Sequence, residues 1–204
     1  MTKRIKRKFL SSRRMGVSLW GGKDAFLTKN YPPGAHGTLG YKKLTGYGVQ
    51  LQAKQKIKKY YGNITEKQFH GIYEKASKKK GNTSQNLVGL LESRLDAVVY
   101  RAKLVPTVFA ARQFVNHKHV KVNGKIVNIP SYVLKPGDIV EVKDASKKLE
   151  IIQRALAGGE RSVPEYITVD PNKLTAEYMR IPLLEEIPYP TMMNPEIVVE
   201  FYSK

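Results

Sequence analysis

The residues of this 204-residue chain best suited to chemistry are cations, and they recur at spacings that a single surface can use. Within the stretch Glu92 to Val142, Arg94 and Arg101 lie seven apart, so on a helix they point nearly the same way, beside an apolar stripe. Arg112 follows on a second helical pattern, and Lys118, Lys121 and Lys125 crowd the passage from that pattern into a strand pattern. Guanidinium and ammonium groups gathered in this way neutralise phosphates, so the chemistry they point to is recognition of a polyanion.

Catalytic and metal-binding patterns are not found beside them. With no cysteine there is no disulfide, no thiolate metal site and no cysteine nucleophile. His36, His70, His117 and His119 are spaced for no metal site; His117 and His119 are two apart with no third ligand near them in sequence. Neither a G-x-x-x-x-G-K-[ST] phosphate loop nor a G-x-S-x-G elbow occurs, and Gly21-Gly22-Lys23 reads as a turn. Glu185-Glu186 sits among prolines without a partner acid, which argues against a glycosidase pair. The expectation is no metal, no cofactor and no enzymatic activity.

Elements that must position the cations can be read from hydrophobic period. Leu91, Leu95, Val98, Val99 and Ala102 repeat at helical spacing, and after Pro106, with Thr107 as N-cap, so do Val108, Ala111, Phe114 and Val115. The period then changes to two: Val120 and Val122, the dipeptide Asn123-Gly124, and Ile126 predict a β-hairpin. Lys135-Pro136-Gly137-Asp138 is a turn by composition, and Ile139 to Val142 a further short strand. Asn123 and Gly124 would set the shape of the hairpin tip between Lys121 and Lys125.

The net charge of +19 is unevenly distributed. Residues 1 to 80 hold 20 Lys+Arg against 3 Asp+Glu, whereas from Glu160 onward 8 acidic residues face 4 basic ones. The opening segment, with Arg4, Lys6, Arg7, Lys8, Arg13 and Arg14 and no acid before Asp24, predicts an extended arm that orders against a counter-charge. An organelle transit peptide is a second reading of its Arg- and Ser-rich composition. No window approaches the roughly 20 apolar residues of a membrane span, so no membrane partner is expected.

Residues 31 to 48 hold five glycines and two prolines and read as a structured loop, in which Gly34 and Gly37 permit close backbone approach. His36, with Tyr31, Tyr41 and Tyr47, offers rings for stacking on unpaired bases. A basic amphipathic helix follows, with Val49, Ala53, Ile57, Tyr60 and Tyr61 inside and Lys54, Lys56, Lys58 and Lys59 interspersed. Thr65 and Gln68 open the next helix through Phe69, Ile72, Tyr73 and Ala76, and Thr83 caps another through Leu87, Leu90 and Leu91. Lys147 to Leu156 is weakly helical, while Val163 to Val169 and Pro195 to Tyr202 have strand character.

Several of these segments together resemble a known family. RLDAVVYR (Arg94 to Arg101) and ARQFVNHKHVKVNGKIVNIPSY (Ala111 to Tyr132) resemble the S-four RNA-binding domain. YPPGAHG (Tyr31 to Gly37), YGVQLQAKQKIKKYYG (Tyr47 to Gly62), KGNTSQNLVGLLE (Lys80 to Glu92) and VVEFYSK (Val198 to Lys204) extend the likeness, nearly end to end, to the bacterial-type fourth protein of the small ribosomal subunit. The resemblance implies an α+β fold: a basic N-terminal arm and loop (1–46), a small helical domain (47–91, completed by about 185–204), and an inserted RNA-binding domain of two helices plus a small antiparallel sheet (92–184). It implies a structural, cytoplasmic, primary binder of the 5′ domain of 16S-type rRNA, with other small-subunit proteins and incoming messenger RNA as partners. The fifth small-subunit protein would lie near Gln50, Leu51, Glu200 and Tyr202, at an interface affecting decoding accuracy.

The chain departs from the family in two places. Some members carry a cysteine-rich zinc knot that has no counterpart here, and Thr107-Val108-Phe109-Ala110 stands where many have Thr-Arg-x-Glu, which removes a charged pair from that turn. Enzymes that use the domain as an RNA handle, pseudouridine synthases and tRNA synthetases, need a catalytic domain for which the roughly 60 residues after the module are too few. A small non-ribosomal RNA-binding protein is the remaining alternative; it would lack the long basic N-terminal half and the VVEFYSK tail.

Overall fold

The computed structural model describes residues 9–21, 26–158 and 161–203, so the expectations for Arg4, Lys6, Arg7 and Lys8 fall outside the described residues. The fold is α+β. Among the described residues the α-helices are α1 (Leu10–Met15), α2 (Gly46–Tyr60), α3 (Glu66–Ser77), α4 (Thr83–Glu92), α5 (Leu95–Arg101), α6 (Val108–Asn116), α7 (Glu150–Ala157) and α8 (Pro195–Ser203). Two compact units result, Met1–Ser84 with Tyr189–Lys204, and Gln85–Pro188.

In the first unit, Thr45 and Thr65 start α2 and α3 by accepting hydrogen bonds from the Gly48 and Gln68 amides. Around Leu19, Ile57, Tyr60, Ile64, Phe69 and Val198 an apolar core closes. The inner face of α2 differs from its apolar period: Val49 is 42% exposed, while Gln50 and Lys54 are buried. Both polar residues are inside because each has a partner there. Gln50 Nε2 donates to Glu200 at 2.7 Å, and Lys54 Nζ to Glu66 at 2.8 Å. Glu66 also accepts from Lys58 at 2.8 Å and from the Tyr202 hydroxyl at 2.6 Å. The Lys54 ammonium sits 4.3 Å from the Phe201 ring centre, and Tyr202 stacks on Tyr73 at 4.8 Å.

These contacts fix α8, whose residues 195–202 carry a strand-like β-branched run. The structure corrects that expectation to a helix: Pro195 presets the first turn, Val198 is buried, and packing along α2 outweighs local propensity. Over Leu10–Met15 the expectation of an extended arm is corrected as well, since these residues form a helical turn ended by Gly16 at φ 65°.

The second unit contains a five-stranded antiparallel sheet, from β1 (Val120–Val122), β2 (Lys125–Ile126), β3 (Asp138–Val142), β4 (Ile167–Asp170) and β5 (Thr175–Tyr178), in the order β2-β1-β3-β5-β4. One face buries Val120, Val122, Val140, Val142, Ala176 and Tyr178; the other shows Lys121, Ile139, Glu141 and Glu177. Asn123 and Gly124 turn the β1–β2 hairpin with φ of 48° and 77°, as a two-residue loop with both residues left-handed requires. Asn123 also accepts from the Ile139 amide and donates to Asp138, each at 2.9 Å, which ties the tip to β3.

Between α4 and α5 the helix breaks at Ser93–Arg94, and the backbone there pairs with residues 130–134 through Leu95 to Tyr132, Asp96 to Pro130 and Leu134 to Ser93. Here the structure corrects the placement of two candidate phosphate ligands. Arg94 is 2% and Arg101 6% exposed. Arg94 grips Asp96 with two hydrogen bonds of 2.9 and 2.7 Å, and Arg101 grips Glu92 with two of 3.0 and 2.7 Å. Tyr166 completes the second pair by donating to Glu92 at 2.9 Å. Helical spacing placed both arginines beside the apolar stripe; the carboxylates at Asp96 and Glu92 draw them beneath it.

Burial alone would raise the Glu66 carboxyl, but the hydrogen bonds from Lys54, Lys58 and Tyr202 outweigh it and hold it at about 2. A carboxyl depressed on folding stabilises fully above its ordinary value near 4.5 and loses that contribution as pH falls through its folded value. The contact is half-exposed, so the effect is modest. Trp20, the single tryptophan, donates to the Tyr60 carbonyl and reports on this unit. Acid titration followed by Trp20 fluorescence should show loosening between about pH 4.5 and 2, and Glu66→Gln should remove that phase; an unchanged titration would rule out this role for Glu66.

Candidate nucleic-acid interface

With Arg94 and Arg101 inside, three exposed lysines of the second unit flank the hairpin, one at its α6 end and two beside its tip. Lys118 is exposed at φ 63° just past α6. Lys125 is exposed beside the Asn123-Gly124 tip, and Lys135 precedes the turn into β3. No carboxylate among the described residues pairs with these three lysines, in contrast to their neighbours. Lys121 lies 3.6 Å from both Glu141 and Asp144, and Arg112, half-buried, reaches Asp96 at 3.4 Å. Lys121 and Arg112 are therefore partly neutralised, and Asn123 spends its side chain on β3.

The surroundings suit an unpaired or irregular nucleic acid. Ile126, Ile129 and Tyr132 are exposed between Lys125 and Lys135, so an aromatic ring and apolar surface are flanked by charge. His119 is held by Ser146 at 2.8 Å and stacked on Phe114, with its basicity lowered by burial and then by His117 and Lys143. An anchored imidazole of lowered basicity there shapes the end of α6.

In the first unit Arg13 turns inward. Its guanidinium donates to the Tyr31 and Pro32 carbonyls at 3.1 and 3.3 Å, and lies 4.8 Å from the Tyr31 ring centre. The Tyr41 hydroxyl donates back to the Arg13 carbonyl at 2.5 Å. Arg13 thereby staples the glycine-rich loop. Gly37 is buried within it, and a Cβ there would come 1.8 Å from the Pro32 oxygen, so the close approach that glycine permits is to the chain itself. Gly34 and His36 remain exposed at the loop surface, and Arg14 is exposed on α1.

The α2 lysines divide likewise. Lys54 and Lys58 serve Glu66, and Lys56 donates to the Met192 carbonyl at 3.3 Å. These contacts displace the expectation that all three face phosphates. Gln50, Glu200 and Tyr202 belong to the α2–α8 seam, with Leu51 half-buried on α2. Sequence reasoning passed over Lys135, hidden in a turn motif, and Arg161. The Arg161 guanidinium donates to the Tyr100 and Val105 carbonyls at 2.9 and 2.8 Å and pins the α5–α6 connection. Its partners lie far away in sequence, so no local pattern marks it.

Among the described residues no cluster of three or more His, Cys, Asp or Glu could hold a metal ion, and no helix is long and apolar enough to cross a membrane. Two family models cover most of the chain: the ribosomal protein S4/S9 N-terminal domain over residues 3–92, and the S4 domain over residues 93–140. Among curated proteins, the small ribosomal subunit protein uS4 of Azorhizobium caulinodans is 58% identical over 205 aligned residues, covering all of both chains. Those of Xanthobacter autotrophicus and Sinorhizobium medicae are 58% and 57% identical with the same coverage. Such identity, sustained through both units, means that this chain belongs to the uS4 family of small ribosomal subunit proteins.

Proposed function

We propose that the chain is a structural, non-enzymatic constituent of the bacterial small ribosomal subunit that binds 16S-type rRNA in its 5′ domain and nucleates assembly of the subunit body. Membership of the uS4 family supports the ribosomal part. The observation that carries RNA binding is the set of exposed lysines without carboxylate partners, Lys118 at the α6 end of the hairpin and Lys125 and Lys135 beside its rigid tip. Phosphate contacts from such groups position the protein, and the fixed hairpin and helix end supply shape recognition of a junction.

Contribution to translational accuracy would run through the α2–α8 seam, where Gln50, Leu51, Glu200 and Tyr202 could meet the fifth small-subunit protein. Because Gln50 and Glu200 already bond to each other, and Tyr202 to Glu66, a partner would dock on a prearranged seam. Messenger RNA entering the subunit is a further partner under this reading, and the cytoplasm its location. The full-length match through the first unit weighs against a small non-ribosomal handle protein.

Filter binding of the whole chain to 5′-domain rRNA and to an unrelated structured RNA, from about 50 to 200 mM salt, tests the main reading. Binding to rRNA should remain much the tighter at the higher salt, and Lys118→Ala with Lys125→Ala should weaken it and reduce the salt slope by about one per lysine. Equal affinity for both RNAs at the higher salt would refute it. For the accuracy role, Glu200→Ala and Tyr202→Ala should alter misreading in a translating extract; unchanged misreading would remove that part.

A further inference from the structure

Charge in the first unit is neutralised unevenly. Lys54 and Lys58 share Glu66, but Lys59, on the adjoining side of α2, points to α1. Its Nζ lies 3.4 Å from Ser11 Oγ, and Ser11 is buried. Arg14, one turn along α1 from Ser11, is exposed in the last turn of that helix. No carboxylate among the described residues pairs with Arg14 or with Lys59. Burial lowers the Lys59 ammonium below its usual basicity, and the charges of Arg14 and Lys58 lower it further.

A half-buried lysine beside other cations, with a hydroxyl as its polar partner, is electrostatically unfavourable in the free protein. Such an arrangement is relieved by an anion and is characteristic of a binding site. The available donors suit a phosphate: an ammonium, a hydroxyl that can donate, and a guanidinium fork that matches paired phosphate oxygens. We propose that Arg14, Lys59 and Ser11 form a binding site for one phosphate of an RNA backbone. The inference rests on the RNA-binding reading above and adds a named contact in the first unit. It positions the RNA without reading sequence, so it should act alike on any RNA that reaches it.

A structural lysine and a phosphate ligand respond oppositely to neutral substitution. In the full-length chain, Lys59→Gln should leave the melting temperature unchanged or higher, because like-charge crowding is removed. The same change should weaken rRNA binding about tenfold and lower the salt slope by about one. Lys59→Arg should keep most of the affinity, and Arg14→Gln should weaken binding as Lys59→Gln does. Inorganic phosphate, against chloride at matched ionic strength, should raise the melting temperature of the unsubstituted chain more than that of the Lys59→Gln chain. A fall in melting temperature with Lys59→Gln, or an unchanged salt slope, would overturn the proposal. Equal affinity of the unsubstituted chain for rRNA and control RNA would instead sink the ribosomal reading, while the Lys59-dependent slope would still register the phosphate.

Discussion

Two buried ion pairs hold the second unit together. At the break between α4 and α5 the Leu95 and Asp96 amides donate to the Tyr132 and Pro130 carbonyls in place of helical partners, and Glu92, Arg94, Asp96 and Arg101 lie almost wholly out of water. A charge so placed is tolerated only when paired and fully hydrogen-bonded. Each carboxylate receives two bonds from one guanidinium, Glu92 a third from Tyr166, and Asp96 a longer one from Arg112. Ser93 links Gly89 and Tyr178, whose hydroxyl is pushed up to about 12, mainly by burial and further by Glu92 despite the Ser93 hydrogen bond. The network thereby joins α4 to β5 and fixes the connection from which α5, α6 and the hairpin are presented.

A similar economy governs the first unit. Glu66, at the start of α3, gathers Lys54 and Lys58 from α2 and Tyr202 from α8, so segments far apart in sequence meet at one carboxylate. In both units, then, few acids decide which of many cations stay inside. Among the cations left without a carboxylate, Lys118, Lys125 and Lys135 in one unit and Arg14 and Lys59 in the other have their charge available to an external anion. Net charge of +19 says that a polyanion is the partner; the distribution of carboxylates says where it can be touched.

Much of this was legible in the sequence. The α+β fold was what the family resemblance implied, the change of period marked the passage from α6 into the hairpin, and the Thr107 and Thr65 caps form as their spacing predicts. Asn123-Gly124 makes the expected turn. What remained hidden depends on distant partners. Heptad spacing put Arg94 and Arg101 on a common surface, but it could not register that Asp96 and Glu92 were close enough to pull them in. The β-branched run in α8 reads as strand because its helical packing is set by α2, at the other end of the chain. β5, only four residues with Ala176 and Tyr178 inward, is too short for its alternation to stand out.

Arg101 is bound into the core by Glu92, and a double-mutant cycle at the two residues tests most directly whether it builds the fold rather than meeting the RNA. Arg101→Met alone leaves the buried Glu92 carboxylate without its guanidinium and should destabilise the chain by about 3–5 kcal/mol in urea unfolding. Adding Glu92→Gln removes that charge while leaving an acceptor for Tyr166, so the double variant should regain most of the stability and bind 5′-domain rRNA with unchanged affinity and salt slope. A double variant that folds as stably but loses tenfold or more in rRNA affinity would contradict the claim and restore Arg101 to the binding surface.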